Sequence, residues 1–190
     1  AAPLGAQTVV PVRVWDSILT LPSYQEGLPD PNPPFDLFND GRPNYPYTIR
    51  DRLTDRRAPR AWRAIWLENA YLRCAVLPEL GGHLYNCTDK RNGADMFYAN
   101  PSIKLASIAY RGAWAAFGVE FNFPVSHNWV TTSPVNVHYA VAAHGDSGAI
   151  TVGNVDRVYG MQWTVRLVLR AGDAVLEQHT TLYNRSDVRR

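Results

Sequence analysis

Apolar and polar residues alternate along much of the chain with the two-residue period of β-strands. The alternation is clearest where Trp163, Val165 and Leu167 are separated by polar residues. The segments with strand character are 9–15, 62–67, 71–77, 84–88, 95–98, 117–123, 135–141, 162–170 and 174–183. No segment longer than a few residues has a helical period, so the sequence predicts an all-β fold, an antiparallel β-sandwich of roughly ten strands.

The first third of the chain has a different character. Pro11 restricts the strand at 9–15 to the edge of a sheet or itself marks the start of the strand. Residues 22–46 are rich in proline and predict an extended, irregular segment. Its apolar residues favour an ordered arm lying across a sheet, and a mobile linker is the alternative; they are Phe35, Leu37, Phe38, Tyr45 and Tyr47. The sequence thus predicts an arm over 1–60 packed on a single β-sandwich body over 61–190.

The predicted strand at 117–123 also carries the most informative polar residues. Its phenylalanines and valine would form one apolar face, which places Glu120 and Asn122 together on the other. Trp114, His127 and Trp129 lie close by in sequence. A carboxylate, an amide, an imidazole and two indoles suit a polyol, because a sugar offers hydroxyl groups to the polar side chains and a C–H face to the indoles. The alternative is a buried polar network that ties the strand to its neighbours.

Composition and charge exclude several function classes. Apolar residues make up 46% of the chain, and Lys plus Arg exceeds Asp plus Glu by only 19 − 17 = 2, so neither disorder nor a nucleic-acid partner is indicated. No motif for a nucleotide, a catalytic serine or a metal is present, and we predict no cofactor. No apolar run approaches the length of a membrane span. Cys74 and Cys87 are predicted to be two free, buried thiols, which favours a cytoplasmic location.

Six blocks, taken together, resemble a known family. They are 67–85 (LENAYLRCAVLPELGGHLY), 100–104 (NPSIK), 111–114 with 118–124 (RGAW and GVEFNFP), 133–135 (SPV), 159–165 (YGMQWTV) and 182–185 (LYNR). The chain is similar over about 45–185 to an uncharacterised bacterial domain that stands in front of tetratricopeptide repeats and resembles the galactose mutarotase-like superfamily. The resemblance implies a β-supersandwich related to aldose 1-epimerases and carbohydrate-binding domains.

The resemblance also implies which kinds of residue would form a catalytic site. Mutarotases use a histidine and a distal glutamate as acid and base, and both positions would fall beyond Arg190, so the chain is expected to be an amino-terminal portion of the sandwich. Within it, Glu120 and His127 are the candidate catalytic residues. The candidate sugar-binding residues are Trp114, Asn122, Trp129, Arg111 and His83. Two functions remain open: a sugar epimerase or glycoside-active enzyme, or a non-catalytic recognition or scaffold module whose protein partners bind through following repeats.

Overall fold

The computed structural model describes residues 10–32 and 44–189, and within these residues the secondary structure is all β. All pairs of neighbouring strands are antiparallel. The strands are β1 (Arg13–Glu26), β2 (Leu53–Glu68), β3 (Leu72–Leu77), β4 (His83–Asp89), β5 (Ala94–Asp95), β6 (Leu105–Ala109), β7 (Gly112–Ala115), β8 (Asn136–Val141), β9 (Ser147–Val155), β10 (Met161–Arg170) and β11 (Leu176–Asn184). The described residues contain no helix long and apolar enough to cross a lipid bilayer.

Two larger sheets share one hydrophobic core. The first has the order β1-β2-β3-β4-β5 and the second β11-β10-β9-β8, while β6 and β7 form a separate hairpin. Side chains from both sheets meet in the core, such as Ile65 and Val76 from the first and Val152 and Val165 from the second. The prediction of an all-β, antiparallel fold is therefore confirmed, and the packing of two sheets around one core supports a sandwich.

The edge strand is longer than its sequence pattern suggests. β1 pairs with β2 from Arg13 opposite Glu68 to Glu26 opposite Leu53. Pro22 lies opposite Pro59, so the two missing N–H donors coincide at one pair of the ladder. Residues 22–26 of the predicted arm thus belong to β1, and the predicted boundary at residue 60 falls within β2.

The rest of the predicted arm is described only in part. Tyr47 packs against the main core and stacks on Trp129 with 5.9 Å between ring centroids, whereas Tyr45 is exposed. The other three apolar residues of the arm, Phe35, Leu37 and Phe38, lie outside the described residues.

The segment 117–123 is not a regular strand, which corrects the central prediction from the sequence. Gly118 has a φ of 52°, so the backbone leaves the extended conformation, and one isolated bridge between Leu84 and Val119 remains. The turn sends Phe117 into a second apolar cluster, while Phe121 packs in the main core. Alternating hydrophobicity therefore reflects burial in two different places and not one apolar face.

The cysteines also differ from expectation. Cys74 on β3 and Cys87 on β4 are directly paired across the ladder, with Cα atoms 4.0 Å apart, and form a disulfide. Their pairing depends on the register between β3 and β4, which shifts between Ala75 and Val76 and cannot be inferred from cysteine spacing. The prediction of two free thiols is wrong, and the cytoplasmic location loses the observation on which it rested.

Candidate functional site

The Glu120 carboxylate is the centre of a hydrogen-bond network. Its Oε2 atom accepts hydrogen bonds from His127 Nδ1 at 2.8 Å and from Trp114 Nε1 at 3.2 Å. Its Oε1 atom accepts a hydrogen bond from the Thr131 hydroxyl. A carboxylate has about four acceptor positions, and three of them are used here. The structure therefore brings three of the predicted site residues together and adds Thr131, which the sequence pattern did not single out.

The loop that follows Phe121 holds His127 in place. Asn122 Oδ1 accepts a hydrogen bond from the His127 backbone N–H at 2.8 Å, and His127 has a φ of 49°. A positive φ is unusual for a residue with a side chain and persists where neighbouring contacts fix it. Asn128 supports the same loop, because its Nδ2 donates to the Phe121 carbonyl at 2.8 Å. Asn122 therefore positions the imidazole through the backbone.

The orientation of His127 leaves one nitrogen available. Since Nδ1 faces a carboxylate that only accepts, Nδ1 carries the proton of the neutral imidazole, and Nε2 is its acceptor. The ring lies edge-on to Trp114 at 5.3 Å, and 30% of the side chain is exposed. Nε2 makes no hydrogen bond with the described residues.

Electrostatics keep the Glu120 carboxyl ionised. Burial alone would raise its pKa, but hydrogen bonds from Thr131 and His127, with smaller contributions from His83 and Trp114, lower the pKa below the ordinary value of 4.5. At neutral pH the network therefore contains a carboxylate anion that is 87% shielded from solvent, since 13% of its side chain is exposed.

His83 is buried beneath the network. It is 1% exposed, its Nδ1 contacts the Leu80 carbonyl, and its ring packs 4.8 Å from Phe117. Burial lowers the pKa of His83, so the ring is neutral. Its Nε2 atom has no hydrogen-bond partner among the described residues. His83 therefore lies in the core as a neutral ring and does not line the cleft beside Glu120.

A cleft of about 220 Å³ opens beside Glu120, and we call it the Glu120 cleft. Its polar walls are Glu120, Asn122, Gln178 and Thr180, and its apolar walls are Phe121, Phe123, Trp163, Val165 and Leu182. The β10–β11 ladder builds one side, because Trp163 pairs with Leu182 and Val165 with Thr180. β11 is the edge strand of its sheet, which leaves this side of the cleft open to solvent. Gln178 and Thr180 were not predicted as site residues, because their strand alternates like any half-buried strand.

Of the seven predicted site residues, Glu120 and Asn122 line the Glu120 cleft. Trp114 and His127 bind the Glu120 carboxylate without lining the cleft, His83 is buried, and Trp129 and Arg111 lie elsewhere. Trp129 is 2% exposed, is surrounded by Tyr47, Tyr110 and Tyr159, and donates from Nε1 to Asn44 at 3.0 Å. Its ring faces are covered by protein, so it contributes to packing and not to the surface of a cleft.

Arg111 lies in a second cleft, of about 390 Å³, between the β1–β2 hairpin and the loops around residues 79 and 133. This cleft also contains Arg50 and Arg60, and we call it the arginine cleft. Arg111 is far in sequence from the other two arginines, and no sequence pattern indicated this cleft.

Metal ligands are not clustered in the part of the chain that the structure describes. No group of three or more histidine, cysteine, aspartate or glutamate residues is arranged to hold a metal ion there.

Comparison with known proteins places the chain in a family. Residues 39–190 match a domain of unknown function, DUF5107. The chain belongs to this family. The match covers most of the sequence, and it confirms the resemblance to an uncharacterised domain that the sequence blocks indicated.

A crystal structure resembles the DUF5107 chain closely. It is that of a TPR-domain containing protein from Parabacteroides distasonis, with a TM-score of 0.82 and 28% sequence identity. The similarity covers 94% of this chain and 30% of that protein. The DUF5107 chain thus spans less than a third of the length of that TPR-domain containing protein.

The Glu120 network allows a direct test of its strength. From the sequence, a Glu120→Gln substitution would be expected to change the free energy of unfolding by less than about 1 kcal/mol, as for a solvated residue. The three hydrogen bonds to Glu120 change this expectation. We expect the substitution to lower the free energy of unfolding by about 1–2 kcal/mol at pH 7, because hydrogen bonds to a charged acceptor are replaced by bonds to a neutral one. Urea unfolding measures the loss.

The same variant has an expected pH dependence. Because the pKa of Glu120 is lowered in the folded chain, its stabilisation is present above the ordinary value of 4.5 and is lost as the pH falls below it. The difference in unfolding free energy between wild type and Glu120→Gln should therefore shrink over the pH range below 4.5. A difference that stays constant over this range would show that the carboxylate charge does not stabilise the fold.

Proposed function

We propose that the Glu120 cleft binds a single carbohydrate ring and that the DUF5107 chain is a carbohydrate-recognition module of the galactose mutarotase-like type. The observation that carries the proposal is the composition of the walls. One ionised carboxylate, two amides and one hydroxyl line a cleft with phenylalanine and tryptophan rings. Sugars need this combination, because their hydroxyl groups bind carboxylate and amide oxygens while their C–H faces pack on rings.

The charge and size of the cleft narrow the ligand class. A lone anionic side chain disfavours phosphates and carboxylates, so a neutral polyol is the better partner. The volume of about 220 Å³ lies below the roughly 300–1,000 Å³ of sites for drug-sized ligands. One sugar ring is therefore the expected occupant, with Gln178 and Thr180 on the open side to bind its hydroxyl groups.

Recognition is better supported than hydrolysis. A glycoside hydrolase uses two carboxyl groups about 5–10 Å apart, and Glu120 is the sole acid that lines this cleft within the described residues. With three acceptor positions of Glu120 already used, about one remains for a ligand hydroxyl. The tetratricopeptide repeats of the structural neighbour also favour a recognition module in a larger protein.

Catalytic roles for Glu120 and His127 stay predictions. The carboxylate orients the imidazole and leaves Nε2 directed away from the network, the arrangement that a histidine acid or base needs. In a recognition module His127 instead holds the Glu120 carboxylate in place, because it donates to Oε2 without lining the cleft.

Gln178→Ala tests the proposal without disturbing the core. Gln178 is exposed on β11 and lines the cleft, and its hydrogen bond is to Thr180, which is also exposed. We expect at least a tenfold loss of affinity for the best ligand from a panel of neutral monosaccharides, measured by titration calorimetry, with an unchanged melting temperature. A tenfold loss of affinity corresponds to about 1.4 kcal/mol, roughly the contribution of one or two hydrogen bonds to the ligand.

Thr181→Ala is the matched control. Thr181 is exposed on the same strand, but the alternation of β11 places it on the face opposite Thr180. It should bind sugar like the wild type. An equal loss in both variants, or no binding of any neutral sugar by the wild type, would refute the proposal.

A further inference from the structure

The arginine cleft contains more positive than negative side chains. Three guanidinium groups and two carboxylates line it: Arg50, Arg60, Arg111, Glu26 and Glu79. Arg50 and Glu26 neutralise each other, since Arg50 Nε and Nη2 donate to the two Glu26 oxygens at 2.7 and 2.6 Å. Glu79 accepts a hydrogen bond from the Arg63 backbone N–H at 2.8 Å. One positive charge remains in excess.

Arg111 is a half-buried cation whose partners are all neutral. Its Nε donates to the Thr48 carbonyl at 2.7 Å, and its Nη1 donates to the Trp129 carbonyl at 3.1 Å and to Ser133 Oγ at 3.2 Å. Within the described residues it forms no ion pair. Burial and the neighbouring Arg50 lower the pKa of Arg111 to about 10, which reflects the cost of this unpaired charge. An anion in the cleft would reduce that cost.

Arg60 is already arranged to meet such an anion. Its guanidinium carbon lies 3.7 Å from the centroid of the Trp62 ring, and Trp62 is fixed by burial and by a hydrogen bond from Nε1 to Ser23 Oγ at 2.9 Å. Stacking holds the planar guanidinium while leaving its edge free to donate. The Arg60 guanidinium makes no hydrogen bond or ion pair with the side chains or backbone of the described residues. Its five N–H donors are therefore available at the rim of the cleft.

We infer that the arginine cleft is a second binding site, for a small organic carboxylate, with Arg60 as the forked contact and Arg111 as the cation in the wall. A planar carboxylate matches the two parallel donors of a guanidinium edge. The apolar part of the wall, formed by Tyr24, Leu80, Ile103 and Leu105, suits the carbon skeleton of an organic acid better than inorganic phosphate. This site is separate from the Glu120 cleft and does not depend on the sugar proposal.

A pair of probes that differ in one carboxylate tests the inference. We expect D-glucuronate to bind the wild-type chain in titration calorimetry, more weakly as sodium chloride is raised, and to bind at least tenfold more tightly than D-glucose. Arg60→Gln should weaken glucuronate binding at least tenfold, whereas Arg57→Gln should have no effect. Arg57 is exposed on the same strand and does not line the cleft. Its substitution removes the same charge as Arg60→Gln.

The outcomes separate this site from the Glu120 cleft. Loss of glucuronate binding in Gln178→Ala but not in Arg60→Gln would place the anion in the other cleft and overturn the inference. Equal effects of Arg60→Gln and Arg57→Gln would reduce the binding to general charge attraction and also overturn it. Inorganic phosphate that binds as tightly as glucuronate would overturn the assignment of a carboxylate ligand.

Discussion

Replacing Gly118 with alanine is expected to lower the free energy of unfolding by about 3–4 kcal/mol. Gly118 has a φ of 52°, a conformation that costs a residue with a side chain about 1–2 kcal/mol. A Cβ atom there would also lie 1.8 Å from the Leu84 carbonyl oxygen and 2.6 Å from that of Tyr85. Both oxygens belong to β4, so the clash is with backbone that cannot rotate away.

The clash has a further consequence for the site. Relieving it requires residues 117–119 to move away from β4, which breaks the two hydrogen bonds between Leu84 and Val119, at N–O distances of 2.9 and 3.2 Å. Each bond contributes about 1 kcal/mol. Glu120 follows directly, so its network would be displaced together with the bridge.

Gly93→Ala is the matched control for this prediction. Gly93 has a φ of 72°, and a Cβ atom at that position would meet nothing within 4 Å. It therefore isolates the conformational cost, and we expect a loss of about 1–2 kcal/mol. Urea unfolding of both variants measures the difference. Equal losses would mean that the chain adapts to the clash at Gly118 without cost.

Strand prediction from alternation was most accurate for β10, which is buried mainly on one face. β10 alternates between the core and more exposed positions and was located almost to its ends, whereas β9 was missed. β9 lies between two strands and is largely buried on both faces, so small and apolar residues follow one another without a period. Alternation at 117–123 was misleading for the opposite reason, because a turn at Gly118 directs similar side chains into two clusters.

Some candidate site residues could be found from the sequence and others could not. Glu120, His127 and Trp114 lie within a short stretch of sequence, and a loop brings them together, so proximity in the chain was enough to find them. Gln178, Thr180 and the arginine cleft depend on strand pairing between distant segments. The sequence contains no local signal for such contacts, since the register of a sheet decides which side chains meet.

Removal of the disulfide with a Cys74→Ala/Cys87→Ala double variant is expected to cost about 2–3 kcal/mol of unfolding free energy. The bond links residues 13 positions apart. Closing a loop of about 15 residues lowers the entropy of the unfolded chain, which stabilises the folded state by about 3 kcal/mol. Both sulfurs lie in the main core, where each cysteine is at most 1% exposed. Adding dithiothreitol should destabilise the wild type by a similar amount.

The double variant is its own control, because dithiothreitol should leave its urea midpoint unchanged. A thiol assay in denaturant should find no free thiol in the untreated wild type and two after reduction, since the chain has two cysteines. Two free thiols without reduction would show that the bond does not form.

A disulfide is typical of proteins that mature in oxidising compartments. Purification from the periplasm of a bacterial host should therefore give the oxidised chain, while purification from the reducing cytosol should give a form less stable by the same 2–3 kcal/mol, about a 30- to 150-fold shift in the folding equilibrium.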